Sequence, residues 1–434
     1  MLVGPVTITF LARFLSPAEQ GFYYTFGSIL ALQIFFELGL SYVILQFASH
    51  ERAKLHWTEQ GTLEGDPVAK AKLASLLRRA LIWYSCMALL IVATLLPLGL
   101  FFFSRDQHSS TTVVWQLPWV WVIIASAVSL LMSPIFAVLE GCGLVVEIAL
   151  LRIYQSVIGS FLLWMALFQH WKLFATPVLT TAGLLWGAGW LILRKARFLR
   201  DLLTFRHGAV TIDWRREIWS FQWKIALSAI SSYFIFLFFN PVLFTFHGAV
   251  VAGQMGMSLS IVSAFSTMGM AWVNTKIAPF GTLIAQREFR KLDQLFFPAL
   301  WQSFAVVALG GAIFWFATFY LHHSGHSLGQ RVIPPFPLGL LVLTAVLNHI
   351  VVAEAIYLRS HKQEPFLVIS VVIGCLVALS TYFLGKRFGV NGMMAGYFVI
   401  NLVLGLGVGT WIFIRKRRLW HSEAFEHKSV NAVA

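Results

Sequence analysis

The chain has 434 residues, of which 58% are hydrophobic and only 12% charged, with 17 Trp and 39 Phe. That leaves far too little polar surface to cover a soluble globule, so the composition excludes a soluble enzyme or binding module and points to a polytopic membrane protein. A formal net charge of +14 would suit nucleic acid only if the basic residues clustered on one folded face; they are scattered, and no nucleic-acid partner is expected.

Apolar runs of roughly 20 residues, enough to cross about 30 Å of hydrocarbon, can be marked off between polar breaks. Twelve such spans lie near 1–12, 21–47, 80–103, 115–139, 150–168, 174–193, 225–246, 252–273, 296–320, 338–357, 366–383 and 393–414. The opening "MLVGPVTITF" lacks the basic residues that precede the apolar core of a cleavable signal peptide. Lys and Arg in alternate loops divide 26 to 6, which by the positive-inside rule places the richer side, and both termini, in the cytosol. Arg194 to Lys224, with eight basic and three acidic residues, reads as a linker. The expected organisation is a bundle over 1–193, a basic linker over 194–224, a second bundle over 225–414 and a basic tail over 415–434.

The two halves repeat. "PVTITF" at Pro5 returns as "PVLFTF" at Pro241, "KLASLLRRALIW" at Lys72 as "KLDQLFFPALWQ" at Lys291, and "WLILRK" at Trp190 as "WIFIRK" at Trp411. Each half holds six spans, an even number, so both enter from the same side. The expected fold is all-α and polytopic, with twelve transmembrane helices in two parallel six-helix bundles. Span 1 is short: span 7 has about sixteen residues before Pro241, whereas only four precede Pro5. The spanning length favours a natural start upstream of Met1 over a half-length helix.

The polar residues inside the spans fall in stripes. Span 2 places Gln33, Glu37 and Ser41 one helical turn apart. Span 4 carries Ser126, Ser129, Ser133 and Glu140, and span 5 carries Arg152, Gln155, Ser156 and Gly159. Span 7 opens with Lys224, Ser228 and Ser231, and span 8 holds Ser260, Ser263, Thr267 and Asn274. Serines alone are accounted for by back-bonding and close helix packing. Stripes that include Glu, Arg, Lys or Asn favour a wet central cavity, with snorkelling as the alternative for Glu140, Arg152, Lys224 and Glu354. Arg13, Asn240, Lys276 and Asn348 complete the candidate substrate path. Glu37 lies about sixteen residues from the outer end of its span, with a side chain too short to reach water easily, and its counterpart in span 8 is Ala271. That asymmetry assigns it a role in the first half, as a proton site or as an acceptor for sugar hydroxyls, with a structural contact as the remaining reading.

Other features carry less. His322, His323 and His326 read as a solvated outer loop. "GLGVG" at Gly405 reads as close helix packing, and Pro134 and Pro241 as kinks. Cys86, Cys142 and Cys375 read as packing residues, with no disulfide framework. No motif calls for a catalytic residue, metal or cofactor, while coupling to a proton or sodium gradient or to the membrane potential stays open.

"LARFLSPAEQGFYYTFGSILALQIFFELGLSYVILQFASHERAKL" (Leu11 to Leu55) resembles the first hairpin of bacterial oligosaccharide flippases, members of the multidrug, oligosaccharidyl-lipid and polysaccharide exporter superfamily. The matching features are Arg13 to Pro17, Gln20 to Gly21 and Glu37 to Leu40, and "LEGCGLVVEIALLRIYQS" (Leu139 to Ser156) resembles the family's turn between spans 4 and 5. The resemblance implies movement of an undecaprenyl-pyrophosphate-linked glycan from the inner to the outer leaflet of a bacterial plasma membrane by alternating access. It implies membrane lipids and other polysaccharide-assembly proteins as partners. Central arginines of the kind found in peptidoglycan-precursor flippases are sparse, which argues against that substrate. Two rivals remain: a multidrug or cation exporter of the same fold, and a membrane glycosyltransferase or polymerase. The enzyme would need acid–base residues beside an outer site, where only Glu19 and Asp106 offer carboxylates.

Overall fold

The computed structural model describes residues 3–105, 113–206, 219–361, 363 and 365–420, leaving out the side chains of 219–221 and 224. Among the described residues, eight helices are long and apolar enough to cross a membrane, and the bent pair Pro17–Glu37 and Leu40–Arg52 makes a ninth. Two of them exceed a single crossing: Ile225–Ala285 has 61 residues and Leu367–Trp420 has 54, roughly 90 and 80 Å of helix. Both contain a glycine off the helical path, Gly248 (φ 84°, ψ 174°) and Gly389 (φ 61°, ψ −146°). These glycines fall in the expected breaks between spans 7 and 8 and between spans 11 and 12. With the short Val3–Phe14 helix, each expected span has a helical counterpart, and the chain is an all-α, multi-pass membrane protein.

Contacts group the chain into two compact units, Thr9–Tyr233 and Met1–Ile8 with Phe234–Ala434. The first unit is centred on a nest of aromatic rings. Phe26 packs at 5.0 Å from both Phe103 and Trp119, and Phe22 lies 5.4 Å from Phe103. Trp119 is fully buried and fits because Gly99 opposite it has no side chain; a Cβ there would overlap the indole. In the second unit Phe296 lies 4.9 Å from Tyr357 and 6.0 Å from Phe280. Arg417 binds both carboxylate oxygens of Asp293, and Tyr357 donates to the same group at 3.2 Å, tying three helices at one end.

At both prolines expected to kink their spans the helix is interrupted about four residues before the proline, whose ring clashes with the carbonyl of residue i−4. The helix before Pro134 ends at Leu130 and resumes at Ser133; that before Pro241 ends at Phe236 and resumes at Phe239. The segment "GLGVG" lies in a π-helical stretch, Asn401–Val408, a wider turn that small residues tolerate.

Two features go beyond the sequence reading. The loop between spans 2 and 3 contains a small hairpin, Leu55–Trp57 paired antiparallel with Leu63–Gly65. Nε1 of Trp57 and Nε of Arg52 both donate to the carbonyl of Cys142, at 2.9 and 3.1 Å. Burial pushes the Cys142 thiol up to about 12, as suits a packing residue, whereas Cys86 and Cys375 are exposed. The linker, for its part, begins as a helix, Ala196–Thr204, separated from span 6 only by Lys195; residues 207–218 lie outside the described residues.

Candidate functional site

The first candidate group surrounds Glu37. The expected stripe of a continuous helix is absent: Ala31–Gln33 is a 3₁₀ turn, and the span breaks at Leu38 (φ 52°, ψ 30°) and Gly39 (φ 68°, ψ 19°), bending by 47°. Gly39 suits this left-handed position, and a Cβ on it would also run into the Ile225 side chain. Despite the break, Ser41 Oγ donates to Glu37 Oε1 at 2.5 Å, and Tyr84 OH reaches the same oxygen at 3.0 Å. The two hydroxyls lie 2.7 Å apart. Tyr84, from span 3, was missed in the sequence; a lone phenol in an apolar run carries no periodic signal. Gln33 is half-buried, and Arg13 is exposed with its guanidinium 5.8 Å from the centre of the Phe14 ring.

The second group joins spans 4, 5 and 6. Glu140 and Arg152 form a bidentate ion pair at 2.9 and 3.3 Å, with the arginine side chain 57% exposed and the carboxylate 15%. Two turns from Glu140 and one turn from Arg152, Ser133 and Gln155 line an open cleft of about 340 Å³ together with Ser129, Ser156 and Thr180. Gln155 donates to the carbonyl of Gly183 at 2.8 Å. Gly187 leaves room for that amide: a Cβ there would lie 2.6 Å from its nitrogen.

Ser228 is half-buried in the Trp219–Phe236 helix, and its carbonyl accepts from Ser232 at 3.0 Å. The Lys224 side chain lies outside the described residues.

In the second unit, Asn240 is buried. Ser263, Thr267 and Asn274 are exposed on one helix face and make no side-chain hydrogen bond among the described residues. Lys276 is half-buried at the break before Ile277–Ala285. Asn348 and Glu354 meet partners that the stripes did not nominate. Asn348 donates to the Tyr397 hydroxyl at 3.2 Å, and buried Glu354 accepts from Thr410 at 3.1 Å. A fully buried Ser303–His349 hydrogen bond was likewise missed. His322, His323 and His326 form no group that could hold a metal, among the described residues.

No protein-family model matches the chain, and no curated protein matches it. Solved structures do. An inward-facing multidrug resistance MATE family transporter of the MOP superfamily superposes with a TM-score of 0.67 at 15% identity, over 96% of this chain and 95% of that one. The lipid II flippase MurJ in an inward closed conformation gives 0.60 at 11%, over 100% and 90%. A MOP superfamily transporter from Pyrococcus furiosus gives 0.55 at 15%, over 96% and 92%. The chain therefore has the fold that these MOP superfamily transporters share.

Proposed function

We propose that the chain is a transporter that moves an undecaprenyl-pyrophosphate-linked oligosaccharide from the inner to the outer leaflet of a plasma membrane, with both termini in the cytosol. The observation that carries this reading is the uncharged polar side of the cleft in spans 4–6, four hydroxyls and one amide from Ser129, Ser133, Ser156, Thr180 and Gln155, set beside Met132, Phe136, Leu179 and Leu184. Such groups donate to and accept from sugar hydroxyls. A cationic substrate, by contrast, would need an uncompensated carboxylate in its low-dielectric path. Beside the cleft Glu140 is neutralised by Arg152, while Glu37 and Glu354, held by the hydroxyls of Ser41 and Tyr84 and of Thr410, have no cation paired with them among the described residues. The shared fold supports transport of either kind, and the flippase-like hairpin from Leu11 to Leu55 favours the lipid-linked substrate.

A multidrug exporter is the second reading, favoured by Glu37, whose Oε2 makes no hydrogen bond among the described residues. Catalysis at an outer site is less well supported. Glu19 is committed to capping Ser16 and to an ion pair with Lys172 at 3.1 Å, while Asp106 lies outside the described residues. Deleting the protein in its host tests the choice. Accumulation of a lipid-linked glycan on the cytoplasmic leaflet, restored to normal by the intact protein and less well by Gln155→Ala, is the expected result. Normal glycan lipids together with raised sensitivity to cationic drugs would replace this reading with the exporter.

A further inference from the structure

The Ala196–Thr204 helix is fixed in place by interactions that use up its apolar face and its acid. Phe198 and Leu202 are buried, and the Phe198 ring lies 5.3 Å from Trp57 of the hairpin. Asp201 pairs with Lys70 at 2.8 Å, and Arg78 donates to the carbonyls of Leu203 and Phe205 at 3.1 and 2.8 Å. Lys195, where the chain turns out of span 6, is neutralised by Glu147 at 2.8 Å. The charged side chains that remain outward are all basic. Arg194, Arg197, Arg200 and Arg206 are all exposed and have no carboxylate partner among the described residues.

The position of this array relative to the bilayer can be read from its neighbours. Ile192 and Leu193, 69% and 83% exposed, are apolar side chains at the end of a spanning helix that none of the described residues covers, and hydrocarbon is the surrounding that suits them. The hydrocarbon edge therefore lies within about one turn of Arg194, and the nine-residue helix that follows is roughly 13 Å long. Its first arginines stand within about 8 Å of the headgroups, the distance over which salt leaves charges coupled. A rigid row of planar guanidinium forks matches phosphodiesters, each of which can take two parallel N–H bonds.

We infer that Arg194, Arg197, Arg200 and Arg206 form a docking surface for the phosphodiester headgroups of anionic phospholipids in the adjoining leaflet. This surface holds the Ala196–Thr204 helix and the start of the linker against the membrane. It is independent of which substrate the protein carries.

The test uses the full chain in phosphatidylcholine vesicles containing a minor fraction of photoactivatable phosphatidylglycerol or, in parallel, photoactivatable phosphatidylcholine. Crosslinks are mapped by mass spectrometry. Phosphatidylglycerol is expected to exceed phosphatidylcholine by about fivefold or more in residues 190–206, as a cluster of basic residues at an anionic surface should produce. That excess should fall to parity in the triple variant Arg194→Gln, Arg197→Gln, Arg200→Gln, survive in reduced form when the same positions become Lys, which keeps the charge without the fork, and shrink at high salt. Equal yields of the two lipids in the unaltered protein would overturn the inference even if the triple variant failed to fold. Loss of the excess on adding inorganic phosphate at constant ionic strength would also overturn it, showing a site for free phosphate.

Discussion

Tyr84→Phe is expected to lower the stability of the purified protein by about 1–2 kcal/mol, between the average for an interhelical hydrogen bond in a membrane and the range for a bond to a charged group. The hydroxyl sits in a triangle with Glu37 Oε1 and Ser41 Oγ, at 3.0, 2.5 and 2.7 Å. Two hydroxyl protons serve these three contacts, so the third becomes a hydrogen bond only when the carboxyl carries a proton of its own. Ser41→Ala should show a similar loss, and the double variant should lose less than the sum, because the two hydroxyls share an acceptor. Thermal unfolding in detergent measures all three. Glu37→Gln keeps the accepting oxygen but cannot titrate, and as a proton site it should lose the dependence of transport on a pH gradient with little change in unfolding temperature. If Glu37 instead accepts from a sugar, the dependence should stay and substrate affinity should fall.

The second large effect is an asymmetry within the Glu140–Arg152 pair. Arg152→Ala leaves a carboxylate that is 15% exposed without its cation and should destabilise the protein by about 1–3 kcal/mol, less than breaking a fully buried pair because the arginine is mostly in contact with its surroundings outside the protein. Glu140→Gln leaves a guanidinium that is 57% exposed and should cost less than about 1 kcal/mol. Function should respond in the opposite sense. In the native pair both guanidinium ends are held by the carboxylate, so freeing them should tighten binding of a pyrophosphate-bearing lipid by about threefold to tenfold, equivalent to about 0.7–1.4 kcal/mol. Binding measured for both variants checks this, and weaker binding by Glu140→Gln would show that the carboxylate itself touches the substrate.

Much of the fold was legible because its signals are long-range in composition but local in sequence. Apolar runs located the spans, the glycines at 248 and 389 sit in breaks already drawn from hydropathy, and prolines 134 and 241 act on the carbonyl four residues back. The residues of the stripes on spans 4 and 5 lie along one face of each helix because residues spaced at three, four and seven share a face, but that Glu140 pairs with Arg152 was not read from the sequence. Where the backbone departs from a regular helix, periodicity loses its meaning. Leu38 in a left-handed conformation turned the span 2 stripe into two short pieces, and only side-chain reach kept Ser41 against Glu37. Partners from other spans, such as Tyr84, Tyr397, Thr410 and the Ser303–His349 couple, carry no spacing relation to the residues they satisfy. The hairpin at Leu55–Gly65 was hidden for another reason: three-residue strands are too short for alternation to register, and the segment was read only for its charge.

The central claim, that a lipid-linked oligosaccharide is carried across the membrane, is tested most directly by reconstituting the protein in vesicles with a fluorescent undecaprenyl-pyrophosphate-linked oligosaccharide and a cationic dye in parallel. The rate at which each crosses is then followed with an impermeant quencher. The account predicts protein-dependent crossing of the glycan lipid, slowed at least several-fold by Gln155→Ala, with no crossing of the dye. Movement of the dye with the glycan lipid left in its original leaflet would contradict it.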